Sequence, residues 1–439
     1  MKDQYIRYIR RGLSLCAALM VIGAFAGCSG GGTESGGPNG SDASSNRVVE
    51  LPAIEVKNHT LKILGHDADG MEDRCSAELL EEYYGITDVQ ITAVPPAEKR
   101  TRLLNAVMSQ DSFDIYGDDF APTLISGGYV VPIEVDMSLA LWDEVSASNE
   151  QYMWSGKRYY VVPGFARQSC VYYNKSMFDE AGETYPTELF DKGEWDWNKM
   201  LELAETLTID SNRDGTPEQY GLANEEQEHI LYTTGKHFVT FMPDGTARNN
   251  IQSPEVARAV AYNQKLIQSG TLVPANGRQV FGEGGAAMCV GHRWFAFGYA
   301  DLVKTNDLGV APLPRDPDAD KYYTEEDGAG FYIPKYAPNP EGALAAANAM
   351  TYYMRSEDYK RLGIEERLED GTWTMELQED FEKSSQIDAG VVRNWEAFGM
   401  GDYFGDIWSR PASGEPWETI AAELAPKIDA KIKELYETK

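Results

Sequence analysis

"DSNRDGTPEQYG", residues 210–221, sets oxygen-bearing side chains at alternating positions: Asp210, Asn212 and Asp214, followed by Gly215. A hard divalent cation takes six to eight oxygen ligands, and this spacing is that of positions 1, 3, 5 and 6 of an EF-hand loop. Thr216 would add its backbone carbonyl, and Glu218 falls at position 9. Position 12 is Gly221, where the pattern has a bidentate Glu, so another loop would have to supply that carboxylate. A polar turn between a helix and a strand would also use these residues with no ion. The segment is a candidate structural Ca2+ site, and no cofactor is required beyond it.

Catalytic patterns are absent or out of context. Five histidines, none at HxxxH spacing, leave no zinc-protease motif, and there is no GxSxG elbow. Seventy acidic residues make paired carboxylates inevitable, so their presence does not define a glycosidase dyad. "GEGGAA", residues 282–287, fits the loose dinucleotide pattern GxGxxA, but 286–290 reads as a strand where that motif needs a helix. Cys75, Cys170 and Cys289 are widely spaced, with no CxxC pair, and read as buried thiols.

The elements that would carry these residues alternate. "HTLKILGH" (59–66) alternates as a strand does; "AELLEEYYG" has helical spacing and a glycine stop at Gly85; "VQITAV" is strand-like again. "EKRTRLLNAVMS" forms another helix and "FDIYG" another short strand. Such alternation predicts an α/β fold with a largely parallel sheet. "WDWNKMLELAETLT" is a helix capped by Asp196, with Trp195 and Met200 as its hydrophobic staple. "SPEVARAVAYNQKLIQSG" is capped by Ser253 and stopped by Gly270, "NPEGALAAANAMTYYMRS" is a further helix, and a long amphipathic helix interrupted at Pro426 closes the chain.

The N-terminus predicts export. A basic head (Lys2, Arg7, Arg10, Arg11) precedes an apolar run from 13 to 27, shorter than the roughly 20 residues that span a bilayer. Phe25-Ala26-Gly27-Cys28 looks like a bacterial lipobox, with Phe25 where the pattern usually has Leu, and cleavage before Cys28 would leave that cysteine to carry lipid (palmitate). Gly/Ser-rich residues 29–46 then form a flexible tether. Without residues 1–27 the chain has 35 Lys+Arg against 69 Asp+Glu, a net charge of −34. That excludes nucleic acid as a partner and limits membrane contact to the lipid anchor. The remaining chain, about 390 residues, exceeds what one core usually serves.

"YVVPGFARQSCVYYNKSMFDEAG", the Trp195 helix, "DSNRDGTPEQYGL", "GGAAMCVGHRWF" and "DLGVAPLPRDP" follow one another in an order that resembles the extracellular solute-binding proteins of carbohydrate ABC importers, the maltose-binding type. The resemblance runs from about residue 60 to the C-terminus. It implies an α/β, two-lobed, periplasmic-binding-protein-like fold, with two discontinuous domains joined by hinge crossings. The lobes are expected at 48–168 with 327–390 and at 169–326 with 391–439, after a signal peptide at 1–27 and a tether at 28–47. It also implies a monomer without enzymatic activity, held on the extracellular face of the cell membrane. Such a protein takes a carbohydrate into the interlobe cleft and hands it to the permease subunits of an ABC importer. A lipid anchor suits a single-membrane cell, where an unanchored binding protein would diffuse away.

A sugar ring has apolar faces for aromatic side chains and a hydroxyl rim for planar polar groups. Sheet-end loops facing the cleft are the places to look. Asp67 follows the first strand, and Asp118 and Asp119 follow another. "GFARQSC" offers Arg167 and Gln168; "GHRWFAF" offers His292, Arg293 and Trp294; Phe331, Tyr332 and Trp395 complete the set. Two alternatives stay open: a surface-anchored glycan-active enzyme, and the same fold carrying a peptide, polyamine or metal complex.

Overall fold

A computed structural model describes residues 49–65, 76–164, 169–224, 226–242, 246–326, 330–356, 364–365, 367–385, 387, 389–392 and 400–437. Strand and helix alternate from the start: β1 (Thr60–Gly65), helix Ala77–Tyr84, β2 (Asp88–Ala93), helix Pro96–Ser109, β3 (Ile115–Asp118) and β4 (Val130–Val131). Ser76 caps the first of these helices through its side chain, and Gly85 ends it at φ 67°, a left-handed conformation that glycine enters at no steric cost. A small hairpin, β5 (Met153–Trp154) and β6 (Lys157–Arg158), precedes the first change of sheet.

The second sheet draws on β7 (Ser169–Asn174), β8 (Tyr220–Asn224), β11 (Ala286–His292) and β12 (Leu308–Ala311). Between β8 and β11 lies a two-stranded ribbon, β9 (Val239–Phe241) with β10 (Ala247–Asn249). The chain returns through β13 (Thr324–Glu326) and β14 (Gly330–Pro334), and β15 (Ala389–Val392) pairs parallel with β13. Strand order is β2-β1-β3-β14-β4 in the first sheet and β12-β7-β11-β8 in the second. The fold is thus two-lobed α/β, and residues Val48–Lys439 form one compact unit.

The sheets are mixed rather than largely parallel. β1 pairs parallel with β2 and β3, but β14 runs antiparallel to β3, and β7 runs antiparallel to both β11 and β12. Each antiparallel strand is one that enters a sheet after the chain has left the other. This arrangement sets the ends of β1, β2 and β3 beside the start of β14. It likewise sets the ends of β8 and β11 beside the start of β7.

The capped helices form where the sequence places them. Asp196 accepts from the Lys199 amide at 2.9 Å, Ser253 caps Pro254–Gln268, and Asn339 caps Pro340–Arg355. The last helix, Trp417–Glu437, continues through Pro426 instead of breaking there. Its buried stripe of Ile420, Leu424 and Ile428 spans the proline, so packing offsets the missing amide. Helix Met375–Ser385 lies on β12 of the second sheet, although residues 327–390 are grouped with the first lobe in the expected division.

Two buried acids hold elements together. Asp114 accepts from the backbone amides of Lys62 (2.7 Å) and Asn339 (2.6 Å), joining β1, the start of β3 and the Pro340 helix. Asp114→Ala would strand both amides in the core and is expected to cost about 2–4 kcal/mol in urea unfolding. Asp380, on helix Met375–Ser385, has its pKa pushed by burial from its usual 3.8 to about 6. The folded carboxyl keeps its proton up to about pH 6, whereas the unfolded one loses it near 4. Stability therefore falls through this group as pH rises across that window. Asp380→Asn should flatten the fall, gaining on the order of 2 kcal/mol over wild type at pH 7 relative to pH 4. Denaturation at the two pH values measures it.

Candidate functional site

At the first sheet's edge, β3 ends in Asp118, whose carboxylate is 3.3 Å from the Lys99 ammonium and 3.7 Å from Arg100. The Tyr116 hydroxyl donates to the same carboxylate, and burial is the main cause that raises its own pKa. Lys99 is nearly buried and also donates to the Gly117 carbonyl at 3.2 Å. Asp118 is thus held in place by a cation beneath it and a phenol beside it. Asp119 follows, exposed to solvent.

An aromatic cluster positions this turn. The Tyr160 hydroxyl donates to the Asp118 carbonyl at 2.9 Å, and the Tyr332 hydroxyl donates to the Asp119 carbonyl at 3.0 Å. Tyr160 and Tyr332 lie 4.8 Å apart by ring centroid, and Phe120 sits 5.6 Å from Tyr160. Tyr332 and Phe331 are both 0% exposed, which corrects their expected role as ligand contacts. A ring with no accessible face cannot stack on a sugar. Successive side chains of β14 point to opposite faces of the sheet, and Tyr332 packs in one core cluster while Phe331 packs in another, so both faces are covered and both rings serve the core.

At the second sheet's edge, β11 runs out through His292 into a short helical turn, Arg293–Gly298. Trp294 there is 47% exposed. His292 lies beneath it with ring planes 10° apart, and the Arg278 guanidinium is 4.4 Å from its centroid. This packing fixes the indole while leaving much of it open. Arg293 goes elsewhere: its guanidinium covers the Phe381 ring at 4.9 Å, and burial pushes its pKa down. The structure therefore separates Arg293 from Trp294.

Sequence reasoning missed the groups around His292. Its Nε2 is 2.9 Å from Glu226 and its Nδ1 is 3.5 Å from Glu325. Burial alone would lower the pKa of His292, but the hydrogen bonds to Glu226 and Glu325 hold it up at about 9. His229 stands 3.7 Å from Glu226, and the Ser169 hydroxyl donates to Glu325. Only Glu226 and His229, three apart, could have been paired from the sequence. Glu325 and Ser169 are 156 residues apart and meet only because β13 and β7 lie where the chain changes sheets.

The Asp210 loop accepts its own amides. Asp210 takes Gly215 (3.0 Å), Asn212 takes Asp214 (2.7 Å), Asp214 takes Thr216 (2.8 Å), and Glu218 takes Ser211 (2.8 Å). Bonding to Ser211 lowers the Glu218 pKa. Cys170 and Cys289 are buried thiols, and burial pushes Cys170 up to about 12. Asp67, Arg167, Gln168 and Trp395, with Cys28 and Cys75, lie outside the described residues.

A family model described as bacterial extracellular solute-binding protein matches residues 73–353. Among solved structures, the sugar-binding protein MalE from Xanthomonas citri is similar at TM-score 0.64 and 14% identity, over 85% of this chain and 98% of that one. An ABC substrate-binding protein from Listeria monocytogenes, in complex with cycloalternan, is similar at TM-score 0.59 and 16% identity, over 88% and 98%. The GacH receptor of Streptomyces glaucescens, described unliganded and with acarbose, is similar at 0.59 and 19%, over 85% and 98%. At these identities the likeness is one of fold.

Removing the Asp118 carboxylate takes away the counter-charge of a nearly buried ammonium. Asp118→Ala is expected to lower unfolding stability by about 1–3 kcal/mol. The double variant with Lys99→Met should recover part of that loss, because the nearly buried ammonium is then gone. Equal losses in the single and double variants would show that the Lys99 ammonium costs nothing once its partner is removed.

Proposed function

The chain belongs to the bacterial extracellular solute-binding proteins, and from that premise we propose that it captures a carbohydrate between its two lobes and delivers it to an ABC importer. The observation that carries the proposal is Trp294, a braced and half-open indole at the end of β11. An indole offers one flat apolar surface, which suits the C–H face of a pyranose. Asp118 and Asp119 supply acceptors for hydroxyls at the other sheet's edge. The similar proteins named above include ones bound to cycloalternan and acarbose, which supports a sugar as cargo.

Capture works by differential affinity. A ligand that touches both lobes binds the closed arrangement better than the open one and shifts the population toward it. The closed form is then what a permease recognises. No bond is made or broken, so the protein acts as a carrier, not an enzyme. Among the described residues no helix is long and apolar enough to cross a membrane. Attachment through lipid at Cys28, after loss of residues 1–27, completes this reading, as does monomeric action. A Cys28→Ala variant should lose incorporation of labelled palmitate, and incorporation equal to that of wild type would overturn the anchor.

The reading extends to a structural Ca2+ in the Asp210 loop, where Asp210, Asn212, Asp214, Thr216 and Glu218 would be ligands. Calcium that raises the Tm of wild type but not of Asp214→Asn would support it. Equal shifts in both would leave the loop as a self-bonded turn.

Thermal unfolding against a panel of mono- and oligosaccharides tests the cargo. A glycan at a hundred times its Kd should stabilise the protein by about 2.7 kcal/mol and be recovered intact. Trp294→Ala should abolish that shift, and circular dichroism of the free variant separates loss of the stacking surface from loss of fold. Consumption of the glycan would favour a surface-anchored hydrolase. Shifts only with peptides, polyamines or metal complexes would keep the fold and change the cargo.

A further inference from the structure

We propose that Glu226, His229 and His292 form a binding site for a zinc-class divalent cation, oriented by Glu325 and independent of which solute the cleft takes. One donor atom from each of the three lies within 4.8 Å of the other two. Glu226 Oε1 is 2.9 Å from His292 Nε2, and Glu226 Oε2 is 3.7 Å from His229 Nε2. Donors of a tetrahedral site with bonds of about 2.0–2.1 Å stand about 3.3 Å apart, and each histidine lies near that distance from one of the two Glu226 oxygens. The two imidazole rings meet edge to face with centroids 5.0 Å apart.

The surroundings fit a metal as well as the donors do. Glu325, fully buried, places its carboxylate 3.5 Å from His292 Nδ1, on the far side of the ring from Glu226. A carboxylate on one imidazole nitrogen fixes the ring and the tautomer so that the other nitrogen can ligate. Ser169 in turn donates to Glu325, so the orienting group is itself held. A bound cation would displace the proton that His292 holds between the two carboxylates, and with both histidines then neutral the charges of Glu226 and Glu325 are balanced by one divalent ion. A mixed nitrogen and carboxylate set favours zinc and its neighbours over calcium or magnesium. Both histidines are nearly or fully buried, while the Glu226 side chain keeps 29% of its surface open and gives an entry path. Three protein ligands leave a fourth position open.

The site also has a place in the machine. Ser169 begins β7 directly after one change of sheet, and Glu325 lies on β13 directly before the other. A cation held by His292 would therefore bind more tightly in whichever lobe arrangement keeps Glu325 on Nδ1.

Titration of the chelator-treated protein with Zn2+ alone tests this. Calorimetry should give one equivalent, and Co2+ in its place should give the intense visible bands of a four-coordinate site. Glu226→Gln and His229→Gln should each weaken binding more than 100-fold, and Glu325→Gln, a positioning change, about 10- to 100-fold. His59→Gln, on an exposed histidine outside the cluster, should leave binding unchanged. Circular dichroism on each metal-free variant separates loss of ligand from loss of fold. The absence of Zn2+ binding and of a four-coordinate Co2+ spectrum in wild type, which needs no variant, would overturn the proposal. So would wild-type affinity in both Glu226→Gln and His229→Gln. Sugar binding that persists in metal-free protein would leave the carrier reading intact whatever the metal result.

Discussion

Glu325 is fully buried at the point where the chain passes from the second sheet back to the first, and a charge there must be answered by its surroundings. The partners come from segments remote in sequence: Ser169 from the start of β7 and His292 from the end of β11. Satisfying one carboxylate therefore fixes where two chain crossings lie and how the central strand of the second lobe ends. It also fixes His292, and through the stacked rings it fixes Trp294 above it. The most exposed aromatic surface of the site is thus the outermost layer of a stack that begins with a buried acid.

The first lobe answers its own acids in the same way. Asp118 is balanced by Lys99 and Arg100, and the carbonyls of its turn are taken up by tyrosine hydroxyls. Tyr116, Tyr160 and Tyr332 thus lie under the site rather than in it. A tyrosine can fill core volume and still carry a donor to its rim, which phenylalanine cannot. Asp114 repeats the arrangement deeper in the lobe, using two backbone amides. In both lobes polar residues at the sheet edge stand on buried partners that the sequence does not mark as polar sites.

The local elements were legible because their causes are local. A capping side chain three residues ahead of an amide, a glycine at positive φ and a stripe of apolar residues act within one or two turns of chain. The helices at Ala77–Tyr84, Trp197–Thr206, Pro254–Gln268 and Pro340–Arg355 follow from such signals. Pro426 was misjudged because the compensation comes from packing against other elements. Phe331 and Tyr332 were misjudged for a related reason. What packs over each face of a sheet decides whether an aromatic ring meets a cleft or a core, and the two rings of β14 are covered by separate core clusters assembled from distant segments.

The sequence by itself determined the class of fold, the family and most helix boundaries, since short-range patterns and the order of segments encode them. Asp118 and Trp294 were also visible as side chains following strands. The tertiary structure alone decided the direction of β7 and β14 in their sheets, the turning of Arg293 onto Phe381, and the meeting of Glu226, His229, His292 and Glu325. These depend on contacts between residues separated by tens to more than a hundred positions. No periodicity reports such contacts, because the free energy that selects them is that of burying charge and aromatic surface across the whole chain.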